Sequence, residues 1–128
     1  MAVYLKSGTG RCPATSSYTT TISFTATEIN NIKKIYTGQA ECIEATLDKL
    51  FDIMQVDLVE NILAISQFAG LSKSKIIESI TDYVTGNVRN IAEDVTSQTG
   101  ETKFKCKIGC VNKGQNGHYW VIRSFASA

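Results

Sequence analysis

Residues 102–125, TKFKCKIGCVNKGQNGHYWVIRSF, change side-chain character at every step, and that period-two pattern leaves the chain few folds to choose from. Phe104, Cys106, Ile108 and Cys110 fall on one side of an extended backbone, with Lys103, Lys105 and Lys107 on the other. This is the pattern of a strand with one face buried. NKGQNG is turn chemistry and HYWVIRSF returns, so the segment predicts a β-hairpin. A two-stranded hairpin is marginal in water on its own, and its apolar face needs a cover.

The rest of the chain supplies one. SYTTTISFT, from Ser17, alternates as well and predicts a half-buried strand, and VYL at residues 3–5 is a short candidate partner. Thr25 followed three residues later by Glu28 is a capping-box pair, which starts a helix. From there Ile29, Ile32, Tyr36, Ala40, Ile43, Leu47, Leu50 and Met54 recur at three- and four-residue steps, a near-heptad stripe that one long helix explains. Its weak point is YTGQ, where Gly38 costs about 1 kcal/mol in a helix interior, and the sequence leaves open whether the helix breaks there. Asp57 with Glu60 repeats the capping pair and predicts a second helix through Leu58, Ile62, Leu63 and Ala69, closed by Gly70. A third, capped by Ser72 or Ser74, follows Ile77, Ile80, Val84, Val88, Ile91 and Val95 to SQTG.

The predicted architecture is α+β and two-layer: three amphipathic helices packed on a small antiparallel sheet formed by an N-terminal strand and the C-terminal hairpin. A chain of 128 residues is one domain's length, 1–128, and buries about two-thirds of its unfolded surface. The eight-position seam is longer than such a monomer easily covers, which points to self-association.

Four cysteines carry the candidate chemistry: Cys12, Cys42, Cys106 and Cys110. Four residues of strand separate Cys106 from Cys110 by about 13 Å, too far for a disulfide or for a shared zinc ion. Buried free thiols are the first expectation. Disulfides remain open, either between Cys12 and Cys42 or from each of them to a hairpin cysteine, with Cys42 to the hairpin the pair to test first. An even-numbered hairpin loop places His118, Trp120 and Ile122 with the lysines, and Tyr119, Val121, Arg123 and Phe125 with the thiols. His118 is then out of reach of both hairpin thiols, so a Cys/His nucleophile pair is not expected. Arg123 facing Cys106 would lower that thiol's pKa.

Lys103, Lys105 and Lys107 with Trp120 form a candidate interaction surface, either a solvated strand face or a site for a polyanion. FAGLSKSKIIESI echoes helix-turn-helix readers of DNA but lacks their basic and amide side chains. Glu41, Glu44 and Asp48 share one helix side, which a solvated face explains. The 13 basic and 12 acidic residues leave +1, so no net field steers the chain toward nucleic acid. No catalytic residue, metal site or cofactor is implied. No run of about 18 apolar residues is present to span a membrane, and the opening residues lack the apolar core of a secretory signal. The cytoplasm is the default location, with a virion or signal-independent export left open. The expected function is a non-catalytic protein-interaction or self-assembling structural protein, homo-oligomeric or bound to a protein partner. The alternatives are an exported, disulfide-stabilised effector or toxin, and a nucleic-acid-binding protein acting through the lysine face.

Overall fold

The computed structural model describes residues 3–128. Four strands, β1 (Lys6–Thr9), β2 (Ser17–Phe24), β3 (Thr102–Asn112) and β4 (Gly117–Ser127), form one antiparallel sheet in the order β1-β4-β3-β2. Between β2 and β3 the chain makes α1 (Ala26–Ile35), α2 (Ala40–Leu63), a 3-10 turn (Ser66–Phe68), α3 (Lys73–Gly86) and α4 (Val88–Ser97). The helices cover one face of the sheet, the α+β two-layer arrangement that the alternating strands require.

The expected helix boundaries need two revisions, and the point left open at Gly38 is settled. The long first helix is broken at Gly38, whose φ of +80° lies in the left-handed region that favours glycine, so α1 and α2 are separate. Asp57 and Glu60 cap nothing. Met54, Leu58 and Ile62 continue the apolar stripe at four-residue steps, and α2 runs through to Leu63. The predicted third helix divides at Asn87, where the backbone leaves helical geometry and the side-chain amide donates to the Tyr83 carbonyl. By contrast the Thr25 cap forms in full: the Glu28 N–H donates to Thr25 Oγ1 at 3.1 Å and the Thr25 N–H donates to Glu28 Oε1 at 2.8 Å.

The core lies between the layers. Ile22, Phe24, Phe104, Cys106, Ile108, Trp120 and Phe125 project from the sheet onto Ile29, Ile32, Leu50, Met54, Leu58, Ile62, Ile76, Ile80 and Ile91 of the helices. Most of the near-heptad seam is therefore consumed inside the molecule, and Ile29, Ile32 and Leu50 are fully buried. Three seam positions stay at least partly open: Tyr36 and Leu47 are half-buried and Ala40 is exposed. VYL precedes β1 instead of forming it: Leu5 donates to the Trp120 carbonyl, and Tyr4 stacks on Tyr119 with ring centroids 4.1 Å apart.

Candidate functional site

The hairpin does not have the expected parity. Asn112 faces His118, so an odd number of residues, 113–117, separates the last facing pair, and Cys110 faces Trp120 while Ile108 faces Ile122. At the next step Lys107 faces Ser124, leaving Arg123 as the extra residue of a β-bulge. Beyond the bulge the expected parity returns, with Cys106 opposite Phe125 and on the same side. Between the loop and the bulge, then, Trp120, Ile122 and His118 belong to the helix-covered face, and Tyr119 and Val121 to the lysine face.

The cysteines and the histidine change accordingly. Cys12 and Cys110 are joined by a disulfide, Cα to Cα 6.0 Å, while Cys42 and Cys106 are free. Cys42 therefore makes no bond to the hairpin. His118 lies on the thiol side, contrary to expectation, but its Nδ1 is 3.0 Å from the Gly10 carbonyl oxygen and its ring occupies the space where a Cβ on Gly8 would stand. Arg123 does not face Cys106: its side-chain stem runs over Gly109 instead. Among the described residues, no group of three or more His, Cys, Asp or Glu side chains is placed to hold a metal ion.

Burial pushes the Cys106 thiol up to about 12. The unfolded chain releases that proton near 9.0. Between these values the unfolded state binds fewer protons, so stability is full below pH 9 and falls above it by about 1.4 kcal/mol per pH unit. The expected result is an alkaline decline in unfolding free energy that is shallower in a Cys106→Val variant, measured by urea titration across pH 8 to about 10.5. Equal slopes for the two proteins would contradict it. Tyr83, packed near Cys106, is also raised, mainly by burial.

The candidate interaction surface retains its lysines and loses its tryptophan. Lys103, Lys105 and Lys107 stand exposed in one row on the outer sheet face, whereas Trp120 is 0% exposed in the core. Their cross-strand neighbours are small: Ser23, Thr21 and Thr19 on β2, and Ala126 and Ser124 on β4. The aromatic group on that face is the Tyr4–Tyr119 pair, with Lys113 Nζ 5.3 Å and 5.8 Å from the two ring centroids.

On the helical side, α2 and α3 leave an open groove of about 500 Å³ lined by Leu47, Asp48, Phe51, Asp52, Thr81 and Thr85. It is followed along the same two helices by a smaller one beside Val56 and Ile77. Val56, 59% exposed, is the large apolar side chain left most open among the described residues. Glu44, Asp48 and Asp52 stand one helical turn apart on exposed positions of α2. Like charges at that spacing each cost a helix about 0.2–0.5 kcal/mol. The isolated molecule gains nothing from them.

The open sides of β2 and of the end of β4 are each engaged at one residue. Asn61 Nδ2 donates to the Thr21 carbonyl on the outer side of β2, and Asp94 accepts both the N–H and the hydroxyl of Ser127 at the end of β4. Side chains placed this way discourage another strand from joining.

Charge divides between the two layers. Residues 1–24 and 102–128, which contain every strand, hold seven Lys and Arg and no Asp or Glu. Residues 25–101, which contain every helix, hold six Lys and Arg and all twelve Asp and Glu. A net charge of +1 thus conceals a sheet layer of +7 against a helical layer of −6. Sequence reasoning that summed charge over the whole chain missed this, although a tally by segment finds it.

No family model, curated protein or solved structure matches the chain. Function has to be argued from these surfaces. No helix among the described residues is long and apolar enough to cross a membrane.

Proposed function

We propose that this protein acts by contact with protein chains, copies of itself among them, as an assembly component with no catalytic step of its own. The observation that carries the reading is the division of charge, a cationic sheet face backing onto an anionic, grooved helical face. Complementary potentials steer association and set its register, and their effect is weakened by salt. Three of the groups with nucleophilic or acid–base potential are otherwise engaged: Cys110 is disulfide-bonded, Cys106 is buried with its proton held, and His118 is turned to the Gly10 carbonyl, while Cys42 is a free, half-buried thiol.

A second reading, an exported effector stiffened by disulfide bonding, draws its support from the Cys12–Cys110 bond.

Light scattering over a concentration series, at about 0.05 M and about 1 M salt and with and without reductant, tests the first reading. The expected mass rises above the 14.0 kDa of one chain with concentration at low salt and returns toward it at high salt. A single-chain mass at every concentration in low salt would remove self-assembly. If that monomer also bound a single-stranded oligonucleotide in a salt-dependent way, and lost it on substitution of Lys103, Lys105 and Lys107, the function would move to nucleic-acid binding.

A further inference from the structure

Two rows of opposite charge on this molecule have nearly the same pitch. Alternate residues of a strand are about 6.6 Å apart, and residues four apart on a helix rise about 6 Å. Lys103, Lys105 and Lys107 on β3 therefore span about the same length as Glu44, Asp48 and Asp52 on α2, roughly 12 to 13 Å. Resting on the assembly reading above, we propose that copies of this chain stack head to tail, with the β3 lysine row of one copy seated along the acidic wall of the α2–α3 groove of the next.

The shapes agree with the charges. The lysines rise from a lane of serine, threonine and alanine on both neighbouring strands, and the long side chain beside the row, Arg123 over Gly109, carries the same charge. The groove they meet has apolar walls, Leu47 and Phe51, beside Asp48 and Asp52. A lysine lays its methylene stem on such a wall while its ammonium reaches out to a carboxylate. The acidic row, unfavourable within one chain, gains a partner only when a second copy supplies it.

The two surfaces lie on opposite sides of a two-layer molecule, which fixes the symmetry. One patch meets a different patch, a heterologous contact, and such contacts propagate into open chains or close as rings, whereas a two-fold dimer would bring a patch against itself. Strand-by-strand growth is opposed at Thr21 and Ser127, where Asn61 and Asp94 occupy the outward backbone groups.

Two variants separate this arrangement from assembly in general. The triple change Lys103→Gln, Lys105→Gln, Lys107→Gln silences the donor row and leaves the groove. Asp48→Lys silences the groove and leaves the row. It also places a lysine one turn from both Glu44 and Asp52, replacing two repulsive spacings by attractive ones, so its melting temperature is expected to equal or exceed that of the unaltered protein. Melting of the triple variant, whose changes are all exposed, confirms its fold. Each variant alone is expected to sediment as one chain. Mixed in equal amounts, they are expected to form a one-to-one pair of twice the chain mass that grows no further, because one groove and one row remain. If the unaltered protein assembles and both variants assemble like it, the interface lies elsewhere and only this arrangement falls. If both variants are monomeric alone and in the mixture, the contact is not between these two surfaces. If the unaltered protein never leaves the single-chain mass, the assembly reading fails together with the arrangement.

Discussion

Trp120→Ala is expected to lower unfolding free energy by about 3–5 kcal/mol, the range for deleting a large buried aromatic side chain. The indole is fully buried and sits against Phe68, ring centroids 5.3 Å apart and nearly perpendicular, and against Tyr18 at 5.5 Å. It ties β4 to the 3-10 turn and to β2, so its removal opens a cavity bounded by three elements that cannot all move inward. Single-domain stabilities are about 5–15 kcal/mol in all, and a loss of this size takes a large part of that. Trp120→Phe provides the contrast. Trp120 Nε1–H is buried without a hydrogen-bond partner among the described residues. An unsatisfied buried donor costs about 1–3 kcal/mol, so phenylalanine loses packing volume but also sheds that penalty. The expected difference from the unaltered protein is within about 1 kcal/mol. Urea unfolding of the three proteins decides: a Phe variant as unstable as the Ala variant would mean that the indole N–H is satisfied after all, by bound water for instance.

How far the sequence revealed this fold depends on whether a pattern is local or tertiary. The Thr25–Glu28 pair could be read because an alternating strand ends immediately before it and an apolar stripe starts after it. Asp57–Glu60 has the same letters, but no break in the Met54–Leu58–Ile62 stripe precedes it, so the continuing helix wins. The division at Asn87 escaped for the opposite reason: Val84 and Val88 keep helical spacing across a break that lies between them. The sheet face of each side chain from His118 to Ile122 depended on whether the hairpin loop holds an odd or even number of residues, and on Arg123 bulging out. Neither is encoded in the alternation itself, since a one-residue slip sends every side chain to the other face. Trp120 was accordingly placed among the lysines when it is the largest side chain of the core. The lysine row itself was legible and correctly placed. Two members of the acidic row, Glu44 and Asp48, were visible together with Glu41 as a solvated helix face, whereas Asp52 and the row's opposition to the lysines emerged only from the structure.

Loss of the Cys12–Cys110 bond is expected to have the other large effect. The bond spans a sequence separation of 98 in a chain of 128 residues. Tying a loop of about 100 residues removes unfolded-state freedom worth about 4.7 kcal/mol in the chain-entropy model, and removing native disulfides typically costs 2–5 kcal/mol. The folded state is poorly placed to register the loss, because other bonds hold the same segment. The Cys12 N–H donates to Asn112 Oδ1 at 2.7 Å, the Gly10 N–H to the Asn116 carbonyl at 3.2 Å, and the Cys110 N–H to the Ser16 carbonyl at 2.9 Å. A Cys12→Ser, Cys110→Ser protein is thus expected to keep its native circular dichroism while its stability drops by about 4 kcal/mol. Its denaturant dependence is expected to steepen, since an untied chain exposes more surface when it unfolds. Thiol titration in denaturant is expected to find two reactive groups per oxidised chain, Cys42 and Cys106, and four after reduction. Coincident unfolding curves with and without reductant, for protein shown by that titration to be oxidised, would mean that the bond constrains little. The proposed stacking surfaces contain neither bonded cysteine, so reduction should weaken the fold while leaving the salt dependence of assembly unchanged at temperatures where the reduced chain stays folded.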